Sequence, residues 1–157
     1  MTRDQVARLV SDAFADVPAP AETEIAHCEQ CELWVERFLV GLPSDWRQIA
    51  AADIAHESSA LTAVTPSALR FLLPAYLVWH LDHYEHSPSN TVDHLIYQLT
   101  RGDCTDPHIA DGYDSLSPSQ VRAVAAFLEY VAGLQHDPTL AADAHRALAS
   151  YWRDRAA

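Results

Sequence analysis

Lysine is absent from this chain, and glycine is scarce. Ten arginines face 22 acidic residues, so the formal net charge is −12. A surface this negative repels phosphate backbones and disfavours nucleic-acid binding. Four glycines are too few for a glycine-rich nucleotide cradle, and the motifs of nucleophilic serines and dinucleotide sites do not occur. These absences weigh against an enzyme without excluding one.

Cysteine and long hydrophobic runs are also rare. Three cysteines, an odd number, argue against a secreted, disulfide-stapled domain. The longest apolar run, Phe71 to Trp79, has nine residues, whereas about 20 are needed to cross a bilayer. The charged residues Arg3, Asp4 and Arg8 make the N-terminal stretch unlike a signal peptide. We therefore expect a cytoplasmic protein that binds no membrane.

Apolar residues recur at helical spacing along the chain, and no stretch alternates in the manner of a strand. A capping residue followed by proline begins four predicted helices, at Thr65, Ser87, Ser117 and Asp137. Gln120 adds a capping box to Ser117. The pattern predicts an all-α fold, an irregular or orthogonal bundle of six or seven helices in one compact domain over residues 1–157.

Three further segments of the prediction are less regular. A helix is expected from about Cys28 to Leu39, and a weaker one from Asp45 to His56. The stretch from Arg101 to Leu116 is rich in aspartate and has no helical pattern, so it is predicted to be an irregular loop.

The sharpest motif is His27-Cys28-Glu29-Gln30-Cys31 at the start of a predicted helix. A Cys-x-x-Cys turn supplies half of a tetrahedral zinc site, so zinc is the candidate metal for Cys28, Cys31 and His27. The missing ligands would come from Cys104, His80, His83 or His108. Thiols at a helix start also exchange disulfides readily, which makes redox chemistry an alternative. The plain structural alternative is two partly buried, capping cysteines.

His80, His83 and His86 follow one another at three-residue spacing. The first two could share a site on one helix face, whereas the third lies too far around the axis. An enzyme that uses the His80/His83 face is therefore one hypothesis. The alternative is that His80 extends the apolar stripe with a hydrogen-bonded edge and the other two face solvent.

Four aspartates mark the predicted loop: Asp103, Asp106, Asp111 and Asp114. They lack the regular spacing and the closing glutamate of a helix-loop-helix calcium site. They could instead attract a basic partner protein, or they could be ordinary turn residues.

Several segments occur together in a fixed order: His27-Cys28-x-x-Cys31, Phe71-Leu72-Leu73-Pro74-Ala75 and Ser117-Pro118-x-Gln120. In this combination the chain resembles a small bacterial, all-helical domain family of unknown function. The resemblance covers about residues 5–134 and leaves a C-terminal helix, about 138–155, outside the family-like core. It implies one fold over that core and directs attention to Cys28 and Cys31, and it implies no activity.

The functional expectation is an acidic protein-interaction module. Such a domain would bind a basic partner protein and inhibit it, as toxin-neutralising immunity proteins do, and the four aspartates would contribute to binding. The alternative is a zinc-binding or thiol-redox protein that uses Cys28 and Cys31.

Overall fold

The protein is described by a computed structural model that covers residues 1–100 and 107–157. The all-α prediction is confirmed, because the described residues contain helices and one isolated antiparallel bridge, between Ala26 and Val64. The α-helices are α1 (Arg3–Ala13), α2 (Glu36–Leu39), α3 (Ala51–His56), α4 (Pro66–His83), α5 (Thr91–Gln98), α6 (Pro107–Asp114), α7 (Pro118–Ala132), α8 (Pro138–Ala147) and α9 (Arg153–Ala156).

Short helical turns of other types connect these helices. The 3₁₀ segments are Glu22–Glu24, Gln30–Trp34, Trp46–Gln48 and Ala60–Thr62. A π-helical segment, Leu148–Trp152, joins α8 directly to α9, so the chain is helical without a break from residue 138 to residue 156. No helix in the described ranges has the length and apolar character needed to cross a membrane.

Three of the four predicted capping sites are confirmed. The side chains of Thr65, Ser117 and Asp137 each accept a hydrogen bond from a backbone N–H in the first turn of α4, α7 and α8. Ser117 also forms the predicted capping box with Gln120. These predictions are confirmed because each capping side chain binds a backbone N–H of the first helical turn that has no partner within the helix. This contact spans only a few residues and so forms whatever the tertiary context.

The fourth predicted capping site, Ser87-Pro88, is wrong. Helix α5 begins only at Thr91. The Ser89 hydroxyl accepts a hydrogen bond from the Thr91 N–H and donates to the Ala55 carbonyl, while the Thr91 hydroxyl donates to the Ile54 carbonyl. These contacts with α3 fix where α5 starts, which no local pattern encodes.

Two predicted helices are each split into shorter pieces. Between Cys28 and Leu39, a 3₁₀ segment and α2 are separated by Val35, whose φ and ψ of −139° and 20° are not helical. Between Asp45 and His56, extended Ile49 and Ala50 interrupt the helix. Burial of particular side chains, Val35 among them, outweighs helix propensity in such short segments.

The predicted irregular stretch from Arg101 to Leu116 is wrong over its second half, where α6 forms. A Cβ atom at Gly112 would lie 2.7 Å from Leu69 Cδ2, so glycine lets α6 approach α4 closely rather than forming a turn. Tyr113 is fully buried, and its hydroxyl donates to the Gln98 carbonyl at 3.0 Å. Residues 101–106, which include Asp103, Cys104 and Asp106, lie outside the described residues.

Helix α4 occupies the centre of the fold. Twelve of its 18 residues are buried, including Pro74, and α1, α3, α5 and α6 all contact it. A helix that is apolar on all sides must be covered on all sides. Two buried indoles tie distant segments to this core, since Trp46 Nε1 donates to the Phe14 carbonyl at 3.0 Å and Trp152 Nε1 to the Leu99 carbonyl at 2.8 Å.

His80 is the polar exception within this buried helix. Its ring is fully buried, stacks on Tyr84 at 5.6 Å and meets the edge of Phe127 at 5.3 Å. The Val92 backbone is close, but no hydrogen bond of normal geometry to either ring nitrogen forms within the described residues. Burial lowers the pKa of His80 from 6.5 to about 4, because a charged imidazole would lose its hydration there.

His80 should make the fold sensitive to acid. Below pH 6.5 the unfolded chain binds a proton that the folded chain accepts only near pH 4. The free energy of unfolding should therefore fall by up to about 1.4 kcal/mol per pH unit in this window, or roughly 3 kcal/mol in all. Chemical denaturation of the wild type and of His80→Leu between pH 4 and 7 measures the free energy of unfolding across this window.

The His80→Leu variant should lose this part of the pH dependence of the free energy of unfolding, whereas His86→Leu, at an exposed histidine, should keep it. Equal slopes for wild type and His80→Leu would contradict the prediction.

Candidate functional site

The candidate site lies on residues 25–40, a segment fixed at its start by the only bridge among the described residues. The His27 N–H donates to the Ala63 carbonyl at 2.8 Å, and the Thr65 N–H donates to the Ile25 carbonyl at 3.0 Å. Ile25 is buried beneath this pairing. The thiols that follow are therefore held next to the beginning of α4.

Cys28 and Cys31 lie in one hydrogen-bonded turn. The Cys31 N–H donates to the Cys28 carbonyl at 3.0 Å and lies 3.3 Å from the Cys28 sulfur. The two Sγ atoms are 2.7 Å apart and are not joined in a disulfide. Cys28 is exposed, whereas Cys31 is partly buried. The structure thus presents one accessible thiol with a second directly behind it.

The turn also favours the thiolate of Cys28. The pKa of Cys28 is lowered first by the hydrogen bond with the Cys31 thiol, then by the backbone N–H of Cys31 and, to a smaller extent, by that of Gln30, whereas burial and the charge of Glu29 act in the opposite direction. Donors aimed at a sulfur atom stabilise its negative charge. Cys28, the exposed thiol of the pair, is therefore the candidate nucleophile.

Zinc binding by Cys28, Cys31 and His27 stays a prediction. In the described ranges, no three histidine, cysteine or acidic side chains are grouped so that they could hold one metal ion. A tetrahedral zinc ion with bonds of about 2.3 Å would hold its two sulfurs about 3.8 Å apart. The observed 2.7 Å is closer to a disulfide, at about 2.05 Å.

The residues after the thiols carry an unusual concentration of exposed apolar side chains. Leu33, Trp34 and Val40 are 70%, 57% and 89% exposed. Glu29, Glu32 and Glu36 are exposed among them, and these three glutamates line one shallow depression with Gln30, Leu33 and Leu39. We call the exposed side chains of this segment the 29–40 surface.

The inner side of the same segment is anchored in the core. Val35 and Phe38 are buried, and Phe38 meets Tyr76 of α4 edge to face at 6.4 Å. The Arg37 N–H donates to the Glu57 carboxylate at 3.3 Å, and its guanidinium pairs with Asp53 at 3.3 Å. The exposed residues are therefore presented by a fixed backbone.

Sequence reasoning placed all four tryptophans in helices and expected most of them in the core, with one or two exposed enough to anchor a partner, but it could not say which. Trp46, Trp79 and Trp152 are buried, and Trp34 is the exception. The sequence signal for its exposure was the presence of acidic residues on both sides of Trp34 in the chain, at Glu29, Glu32 and Glu36.

Two of the four aspartates predicted to bind a partner lie within the described residues, both on α6. Asp114, at the end of α6, accepts a hydrogen bond from the Tyr151 hydroxyl at 2.6 Å and pairs with Arg155. Asp111 is exposed on α6, and Asp103 and Asp106 lie outside the described residues. A partner-binding role of these four residues stays a prediction.

The histidine face does not form one site. His80 is buried in the core, whereas His83 stacks on Trp79 at 4.9 Å and donates through Nδ1–H to the Trp79 carbonyl at 2.8 Å. His86 is exposed beside Glu85. His83 instead borders a groove with Trp46, Arg47, Asp82 and other residues.

Comparison with known proteins yields one match. A family model described as "Family of unknown function (DUF6714)" matches residues 2–156. This range includes the C-terminal helix, which the resemblance of the sequence segments had left outside. No curated protein and no solved structure matches the chain.

The geometry of the thiol turn predicts that Cys28 reacts at lower pH than an ordinary cysteine. Alkylation with iodoacetamide, followed at each cysteine by peptide mass spectrometry, should give Cys28 a midpoint below the usual value of about 8.5. Cys31→Ala should move this midpoint upward, because it removes the side-chain hydrogen bond that makes the largest contribution to the shift. A Cys28 midpoint at or above the usual value would contradict the assignment.

Proposed function

The chain belongs to DUF6714, a family of unknown function, and we propose that it is a binding module for a basic, amphipathic segment of a partner protein. The 29–40 surface is the binding site in this proposal. Binding would cover the segment and so inhibit the partner, in the manner of an immunity protein.

The observation that carries the proposal is the exposure of Leu33, Trp34 and Val40 on a segment whose inner side is buried. Three large apolar side chains within eight residues are costly to leave in water. Tryptophan is also the residue most enriched at the energetic centres of interfaces, since its large ring loses water on contact. The backbone anchors at Val35 and Phe38 keep the cost of ordering this surface low.

The charge around these side chains supports a basic partner. Glu29, Glu32 and Glu36 are exposed in the same segment, and the whole chain carries a formal net charge of −12. A negative field attracts a cationic segment and speeds its association, while it repels acidic competitors. Apolar contacts would then supply affinity, and the glutamates would supply selectivity.

The proposal predicts binding of a synthetic helical peptide of arginine and leucine, measured by the fluorescence anisotropy of a dye on the peptide. Leu33→Ser with Trp34→Ser should weaken binding about tenfold or more, because two apolar contacts are lost. Glu32→Gln with Glu36→Gln should slow association and reduce its dependence on salt.

Matched variants elsewhere distinguish this surface from general charge attraction. Tyr97→Ser, at another exposed aromatic residue, and Glu129→Gln, at an exposed glutamate on α7, should leave the affinity unchanged. Equal binding of a peptide with glutamate in place of arginine, or equal loss in the control variants, would overturn the proposal.

Zinc binding is the second candidate function, supported by the Cys-x-x-Cys turn, in which Cys28 is exposed and favoured as a thiolate; the two sulfurs would have to separate to about 3.8 Å to hold the ion. Elemental analysis of untagged protein, with thiol counting in denaturant, tests it. One zinc per chain, with the thiols of Cys28 and Cys31 released only by a chelator, would support the site. Metal-free protein with three reactive thiols would remove it.

A further inference from the structure

Two features of the Cys28–Cys31 turn suit disulfide chemistry rather than packing. The hydrogen bond from the Cys31 N–H to the Cys28 carbonyl closes a four-residue turn, which brings the two Cα atoms within about 7 Å, compatible with a disulfide. The two Sγ atoms are already 2.7 Å apart. A covalent bond therefore needs only a small movement of the side chains.

The two thiols also differ in the way that an exchange site requires. Cys28 is exposed and can be reached by a substrate, whereas Cys31 is partly buried behind it. The hydrogen bonds that lower the pKa of Cys28 increase its thiolate fraction near neutral pH. Cys28 is not needed to fill the core, whereas Cys31 is partly buried and packs against it.

We propose that Cys28 and Cys31 form a thiol–disulfide exchange site that accepts small, positively charged disulfides. The surroundings set the charge preference. Glu29 lies next to Cys28 in sequence, Glu32 next to Cys31, and both glutamates line the depression on the 29–40 surface together with Glu36. A cationic disulfide is drawn to this field, and an anionic one is repelled.

The reaction balances without a metal or a further cofactor. The Cys28 thiolate attacks one sulfur of the substrate disulfide, so that a mixed disulfide forms and the first substrate thiolate leaves. The Cys31 thiol loses its proton to solvent and attacks the Cys28 sulfur, which forms the Cys28–Cys31 disulfide and releases the second substrate thiolate. Both leaving thiolates take up protons. The dithiol loses two electrons, and the substrate disulfide gains them.

Resolution should be fast because the second nucleophile is already in place. A thiol 2.7 Å from the reacting sulfur acts at a high effective concentration. The mixed disulfide should therefore not accumulate in the wild-type chain.

Three disulfides of different charge test the proposal: cystamine (cationic), hydroxyethyl disulfide (neutral) and oxidised glutathione (anionic). Reduced protein is mixed with each at pH 7 and low salt, and the products are followed by intact and peptide mass spectrometry. The wild type should lose two hydrogen atoms, carry no adduct, and react with cystamine about tenfold faster than with oxidised glutathione. High salt should reduce this ratio.

Single-cysteine variants identify the roles. Cys31→Ser should trap the mixed disulfide on Cys28, Cys28→Ser should react at least tenfold more slowly, and Cys104→Ser should behave as the wild type does. Glu29→Gln with Glu32→Gln should reduce the preference for cystamine, whereas Glu129→Gln should not. Thermal unfolding of each variant checks that it is folded.

A stable adduct on wild-type Cys28, a disulfide that includes Cys104, or equal rates for the three substrates would overturn the proposal. The inference does not rest on peptide binding. The Cys28→Ser, Cys31→Ser double variant retains the apolar side chains of the 29–40 surface and should lose exchange while it keeps peptide binding. Leu33→Ser with Trp34→Ser retains both thiols and should show the reverse.

Discussion

The burial of α4 on almost every side is the constraint on which the rest of the structure depends. Its sequence offers no polar face, so other segments must cover it. Helices α1, α3, α5 and α6 do so, and Gly112 permits the close approach of α6. The same requirement buries His80, and its low pKa follows from its place in the core.

The candidate site follows from the way residues 25–40 pack against α4. Residues 25–40 reach α4 through the Ala26–Val64 bridge and through the contact of Phe38 with Tyr76. Because their inner side packs against the core, the side chains of this segment that face water include a thiol, three glutamates and three large apolar groups. The proposed binding and the proposed thiol exchange thus share one anchored segment, and each can be tested without the other.

The sequence predicted what depends on local chemistry. The caps at Thr65, Ser117 and Asp137 and the all-helical class followed from side-chain donors, acceptors and periodicity. It failed where a distant contact decides. Ser89 binds α3 and delays α5, Gly112 serves packing rather than a turn, and Val35 interrupts a predicted helix. The Cys-x-x-Cys spacing indicated the site. The exposure of Trp34 could not be predicted, because it depends on which side of residues 25–40 packs against α4.

Native-state hydrogen exchange by NMR tests most directly whether residues 25–40 are fixed by the covering of α4. The account predicts that the N–H groups of His27, Thr65 and Arg37, which bond across to other segments, open with free energies close to those of α4 amides such as Leu77. Exchange of these three amides at the rate of an unfolded chain, while Leu77 stays protected, would contradict it.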